Sequence, residues 1–179
     1  DFQGEIQDSL CSYAKEVADA VGIKYGASHL EIKMTEHGPF LIEIAARLSG
    51  ATHVEVSNEA LGYNAVDLTI DSYLEEEKFM ECLRNYPRKV IKYENLLDIG
   101  TDKKGYIQKL PSEEHLTHLP SVKSFKLKVK LGDYLEPTIT LANSPAKIHL
   151  VHENKAQLEK DRNIIKAAFQ NELICTAEP

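Results

Sequence analysis

Apolar residues recur along the chain with two periods, and the switches between them mark out the elements. Between residues 3 and 21, Ile6, Leu10, Tyr13, Val17 and Val21 fall three or four apart. That spacing predicts an amphipathic helix, which Gly22 ends. The period then drops to two. Leu30, Ile32 and Met34 alternate with Glu31, Lys33 and Thr35, and Phe40, Ile42 and Ile44 alternate with Leu41, Glu43 and Ala45. Glu36-His37-Gly38-Pro39 between them is turn chemistry, so the two runs predict a β-hairpin. Arg47-Leu48-Ser49-Gly50 reads as a loop, and helical spacing returns over 52–61, ended by Gly62, and over 64–76. The charged stretch 75–88, closing on Pro87, reads as a connection between lobes.

Beyond that connection, alternating runs at 90–93, 106–108, 123–130 and 147–151 predict strands. A last helix is expected over 155–173 with Asn154 as its N-cap, and Gly132-Asp133 reads as a hairpin turn. No internal repeat and no low-complexity tract interrupts this order. The expected fold class is α+β, a largely antiparallel sheet with flanking helices over 1–86 and a small C-terminal α+β lobe over 87–179.

The hairpin arithmetic points to chemistry. If the turn centres on His37, residues whose numbers sum to 74 face each other, and Glu31 and Glu43 meet that condition. Both would project from the face opposite Leu30, Ile32, Ile42 and Ile44, with Cβ atoms about 4.5–5.5 Å apart. Two ionised carboxylates at ~5 Å repel by roughly 3 kcal/mol at an effective dielectric near 20. A bound cation, a shared proton or a flanking arginine would make the pair tolerable. Arg47 has the same parity and lies just past the second strand. Hard oxygen ligands suit Mg²⁺, which takes one or two carboxylates plus substrate phosphates. The alternative is a solvated polar face with Lys33 as counter-charge, and spacing does not choose between them.

Other polar residues carry paired readings. His29 would face Ala45 on the Glu31 side, as a substrate contact or as a packed polar group. His53 follows the small-residue loop and starts a helix, either touching an anionic substrate or sitting near the surface. His115, His118, His149 and His152 read as structural, since His149 and His152 differ in strand parity. Lys123, Lys126, Lys128 and Lys130 form a basic run best explained as a charged edge that deters sheet-to-sheet association.

Composition narrows the classes. The 179 residues include 21 Lys+Arg and 28 Asp+Glu, a formal charge of −7, with 42% hydrophobic residues, as in ordinary globular domains. The acidic balance argues against a general nucleic-acid binder. No run reaches the ~20 apolar residues of a membrane span, and none reads as a signal peptide. Cys11, Cys82 and Cys175 form no CxxC or Cys/His cluster, so neither a zinc site nor a disulfide framework is indicated. They read as buried small hydrophobes in a reducing, cytoplasmic setting. The chain opens at Asp1 directly into helical pattern, as a piece of a larger protein would.

The stretch from Gly22 through Tyr25-Gly26-Ala27-Ser28-His29-Leu30-Glu31, then Gly38-Pro39-Phe40-Leu41-Ile42-Glu43-Ile44-Ala45-Ala46-Arg47-Leu48-Ser49-Gly50, resembles the second half of the ATP-grasp ligase core. Within that superfamily it is most similar to the carboxylate–amine ligases, which include amino-acid and dipeptide ligases. The match is close over about residues 14–75 and looser in the later strands and terminal helix. The resemblance implies that ATP phosphorylates a carboxylate to an acyl phosphate, which an amine attacks to give an amide, ADP and phosphate. It implies Glu31 and Glu43 as ligands of Mg²⁺ (or Mn²⁺) and Arg47 as the catalytic cation. Ser49 and Gly50, with His29 and His53, would be the substrate-binding residues. Many family members carry Asn two residues after the second Glu, where this chain has Ala45, which leaves the metal stoichiometry open. The family's adenine pocket and phosphate-gripping lysines precede this segment, so the chain reads as a C-terminal piece that is inactive alone.

The expected partners are a small carboxylate and an amine, with no nucleic acid, no membrane and a possible homodimer. Rival readings are a biotin-carboxylase-like or purine-pathway ATP-grasp enzyme, which bicarbonate or formate dependence would reveal. A non-catalytic regulatory module with a grasp-like core is the other. Retention of Glu31, Glu43 and Arg47 together speaks against that module, which has no need of two mutually repelling carboxylates.

Overall fold

The helical spacing near the N-terminus becomes α1 (Glu5–Ala20), whose half-buried Leu10, Tyr13 and Val17 line the side laid against a two-stranded antiparallel hairpin, β1 (His29–Thr35) and β2 (Gly38–Ala45). These elements belong to a computed structural model that describes residues 4–50, 53–85 and 91–177. Three helices follow: α2 (Val54–Leu61), α3 (Ala65–Leu74) and α4 (Glu76–Arg84). Gly62, at φ 77°, ends α2 in the left-handed conformation that glycine adopts without Cβ strain. The Asn64 side chain then accepts the backbone N–H groups of Val66 and Asp67, capping α3. Asn64 is 1% exposed, and its amide also donates to Asn58 and Asp67, so one buried residue ties α2 to α3.

The chain divides into two compact units, Asp1–Lys89 and Val90–Pro179. The second holds β3 (Tyr93–Asp98), β4 (Gly105–Lys109), α5 (Glu113–Thr117), β5 (Val122–Leu127), β6 (Tyr134–Leu135), a 3-10 turn (Leu141–Asn143), β7 (Ala146–His152), α6 (Lys155–Glu172) and β8 (Ile174–Thr176). Its strands form two antiparallel three-stranded sheets, ordered β3-β7-β5 and β6-β4-β8. Helix α6 packs on β3 and β7, burying Leu158, Ile165 and Phe169 against Ile148 and Leu150. Asn154 caps α6 by accepting the N–H groups of Ala156 and Gln157. Asp161, 1% exposed, accepts the Ser121 backbone N–H at 2.9 Å and so joins α6 to the segment entering β5. The α+β class and antiparallel pairing match the expectation.

Several expectations change. The charged stretch 75–88 is not a plain connection: residues 76–84 form α4, with Glu76 and Glu77 in the first turn, where the helix dipole favours negative charge. Pro87 and Val90, and the helix starts read at positions 3 and 52, lie outside the described residues. The strand sought at 90–93 runs instead over Tyr93–Asp98, because pairing with β7 sets its span and Leu96-Leu97 breaks any alternation. Strand β5 ends at Leu127, so the lysine stripe does not run along one strand. Lys128 turns to Asp98, 3.6 Å away, and Lys126 lies opposite Lys147. Gly132 sits in a turn closed by Asp133 N–H to the Lys130 carbonyl, yet it is no hairpin, since β6 pairs with β4. Cys11 is exposed rather than buried, and Cys82 and Cys175 are half-buried. The short β6, β8 and α5 offered too few residues to show a period.

Candidate functional site

The candidate residues collect on β1, β2 and the loop after them. Strand pairing sets His29 opposite Ala45, Leu30 opposite Ile44 and Glu31 opposite Glu43. Directly opposed residues project from the same face of a hairpin, so the two carboxylates stand side by side. Toward the turn the register changes: Ile32 pairs with Leu41, Lys33 with Phe40 and Thr35 with Gly38. The turn is therefore the two residues Glu36-His37, and Gly38-Pro39 belong to β2 rather than to the turn. Ile42 is the extra residue of a β-bulge that separates the two registers.

The bulge corrects the expected faces. Leu30, Ile32, Leu41 and Ile44 share the half-buried side toward α1, whereas Phe40 and Ile42 are exposed. Strict alternation had put Ile42 inside and Leu41 outside, because alternation cannot see an inserted residue. The Leu41 N–H donates to the Tyr13 hydroxyl of α1 at 3.2 Å. Neither the bulge nor this hydroxyl was foreseen. The signals were there, in the adjacent apolar pair Leu41-Ile42 and in a tyrosine placed on an otherwise aliphatic helix face.

An imidazole and a guanidinium border the carboxylates. His29 Nε2 lies 3.5 Å from Glu31 Oε1, and Arg47 Nη2 lies 3.9 Å from Glu43 Oε1. Among the described residues these, rather than Lys33, are the side chains that border the pair. Arg47 also donates from Nη1 to the Leu48 carbonyl at 2.9 Å, which folds its side chain back over the loop. The Arg47 and Glu43 side chains are 58% and 55% exposed. Water screens such a pair, which contributes at most about 1 kcal/mol. The guanidinium is thus near the carboxylates without being locked to them.

The remaining candidates follow along the chain. Ser49 is half-buried and Gly50 exposed, and a Cβ on Gly50 would meet no atom of the described residues within 4 Å. His53 takes the N-cap position of α2 with extended backbone, its carbonyl accepting Ser57 N–H at 2.9 Å, and its Nε2 is buried. The structure thus brings His29, Glu31, Glu43 and Arg47 together, with Ser49 and Gly50 next in the loop. Of the histidines read as structural, His152 accepts the Asn154 N–H through Nδ1 and His118 meets the Glu114 carbonyl.

The donor set fits a hard divalent cation in kind: two paired, solvent-facing carboxylates with a guanidinium at the rim. Among the described residues no three His, Cys, Asp or Glu side chains gather into a protein cage. That pattern suits Mg²⁺ shared with substrate phosphates better than a closed structural site. No helix of the described residues is long and apolar enough to cross a membrane.

No family profile matches the chain. Over 154 residues it is 30% identical to dapdiamide A synthase of Enterobacter agglomerans, which covers 86% of this chain and 36% of that protein. Its fold matches an L-amino acid ligase from Bacillus licheniformis with a TM-score of 0.73 at 18% identity, over 98% of this chain and 44% of the other. It also matches phosphoribosylglycinamide synthetase from Anaerococcus prevotii, with a TM-score of 0.65 at 14% identity, over 96% and 42%. The chain therefore spans about a third of the curated relative's length and under half of either solved neighbour.

Proposed function

We propose that this chain, which has the fold of the C-terminal part of ATP-grasp enzymes, supplies the metal- and phosphate-binding side of a carboxylate–amine ligase. The observation that carries the reading is the Glu31–Glu43 pair on an exposed hairpin face with Arg47 beside it. Such a pair is repulsive alone and becomes useful when a polyphosphate and its cation arrive.

In the reaction, an oxygen of the substrate carboxylate attacks the γ-phosphorus of ATP, the bond to ADP breaks, and an acyl phosphate forms. The amine nitrogen then attacks the acyl carbon and loses a proton, and inorganic phosphate leaves with the electron pair of its C–O bond. Glu31 and Glu43 would hold Mg²⁺ (or Mn²⁺), which when bound neutralises charge on the triphosphate. Arg47 offers a planar fork of N–H donors to the transferring phosphoryl, whose equatorial oxygens carry the charge of the transition state. Its loose contact with Glu43 leaves it able to turn toward that charge. The Ser49 hydroxyl and the Gly50 N–H receive the substrate carboxylate, with His29 and His53 bordering the same region. Ala45, opposite His29, adds no side-chain donor, so among the described residues the carboxylates this face contributes are Glu31 and Glu43.

The substrates are amino acids or similar small carboxylates and an amine. The 30% identity to dapdiamide A synthase supports that class. The two solved neighbours, at 18% and 14% identity, support the fold. The family resemblance implies a nucleotide clamp that precedes this segment, and on that reading the 179 residues alone would not turn over. A cytoplasmic homodimer completes the proposal. Running the full-length protein on a substrate carboxylate labelled with ¹⁸O tests the chemistry. Label appearing in the released phosphate supports an acyl phosphate, and unlabelled phosphate would rule it out.

A further inference from the structure

The Tyr13 hydroxyl bonds to Leu41, which is none of the residues assigned above, yet it sits where their geometry is decided. The two-residue turn Glu36-His37 pairs Thr35 with Gly38, a register in which residue numbers sum to 73. Carried unbroken along the hairpin, that register would set Glu31 against Ile42 and Glu43 against Leu30. Opposed residues share a face and neighbours along a strand do not, so the two glutamates would then point to opposite sides. The bulge at Ile42 shifts the register to 74 and returns both carboxylates to one face. It therefore has to be held in place.

We propose that Tyr13 is the positioning residue that holds it, an inference that rests on the metal-binding reading of Glu31 and Glu43. Its hydroxyl accepts the N–H of Leu41, the residue next to the inserted Ile42, at 3.2 Å in a partly buried setting. Its ring belongs to the face of α1 that packs on both strands. Register is weakly specified where a strand can slip by one residue without losing its apolar face. Unbroken pairing would turn Glu43 inward and Ile44 outward, so burial favours a bulge, but Leu41 and Ile42 are both apolar and burial alone does not choose which of them is inserted beside Glu43. A hydrogen bond from a separate helix to one particular amide removes that ambiguity.

The test is Mn²⁺ binding by the full-length protein, read from the electron paramagnetic resonance signal of the free ion, for wild type, Tyr13→Phe, Glu43→Gln and the double variant. Tyr13→Phe keeps the ring and removes the hydroxyl. It is expected to weaken Mn²⁺ binding roughly three- to tenfold, the range of one net hydrogen bond. Glu43→Gln is expected to weaken it at least as much, and adding Tyr13→Phe to Glu43→Gln should cost nothing further. Wild-type affinity in Tyr13→Phe with loss in Glu43→Gln would overturn the role of Tyr13 and leave the metal reading standing. So would additive losses in the double variant. Wild-type affinity in Glu43→Gln would overturn the metal reading and this role with it. If Tyr13→Phe melts early, hydrogen exchange of the unmutated protein decides. A protected Leu41 amide supports the proposal, and exchange as fast as that of the turn residue His37 overturns it.

Discussion

Glu31 and Glu43 face each other across the β1–β2 hairpin because Ile42 is inserted between them and a turn whose own register is one residue short. The pairing is a local conflict: like charges directly opposed on a strand pair are destabilising. Glu31→Gln is therefore expected to raise the melting temperature of the metal-free protein, by a few tenths to about 1 kcal/mol of stability. The same variant should lose the added stability that Mg²⁺ gives the unmutated protein. Calorimetry with and without Mg²⁺ reads both effects, and a metal-free destabilisation would show that the pair is not in conflict.

Arg47 should act on the rate more than on nucleotide affinity, because the charge it meets develops during phosphoryl transfer. Arg47→Ala is expected to slow turnover on the order of a hundredfold while ATP affinity changes less than about threefold. Single-turnover kinetics beside an equilibrium nucleotide titration separates the two. A variant that binds ATP poorly and turns over normally once saturated would contradict the assignment.

In the C-terminal unit, Asp161 joins α6 to the Ser121 backbone, both groups being buried. Asp161→Ala leaves the Ser121 N–H without that acceptor and is expected to cost about 1–3 kcal/mol. Urea unfolding followed by circular dichroism measures this, and an unchanged midpoint would mean that water or another group satisfies the amide.

The cysteines should label in a fixed order at neutral pH. Cys11 is exposed, whereas burial pushes the Cys175 thiol upward against the opposing pull of Lys103. A raised thiol carries less of the reactive thiolate. Iodoacetamide is expected to modify Cys11 first and Cys175 last, with Cys175 accelerating as pH rises past the ordinary thiol range. Peptide mapping over time reads the order, and early alkylation of Cys175 would contradict its shielding.

The elements that announced themselves in the sequence were those whose period survives in the structure. Helices α1, α2, α3 and α6 keep their 3.6-residue spacing, and the Gly62 stop and the Asn154 cap fall where the sequence puts them, whereas the helix read over 64–76 ends at Leu74. The pairing of Glu31 with Glu43 was legible from parity and turn position, but by an offsetting pair of errors. A turn centred on His37 lies half a residue late, a register of 74 in place of 73, and the unforeseen bulge offsets it at the carboxylates, so the difference shows at Leu41 and Ile42. A bulge is a compromise between turn geometry and packing against α1, and its trace in the sequence is the adjacent apolar pair Leu41-Ile42, which strict alternation passes over. The two-residue β6 and the β3 span were hidden likewise, since their pairing partners, not their own residues, define them.

The central claim is a ligase whose metal side is the Glu31–Glu43 face, and ADP release tests it most directly. The full-length protein would be assayed with Mg²⁺ and ATP over a panel of amino-acid pairs, beside its Glu43→Gln variant. ADP release that requires both a carboxylate and an amine, and that falls by at least about a hundredfold in the variant, is the predicted result. Equal release by the variant, or ATP hydrolysis indifferent to both substrates, would contradict the account.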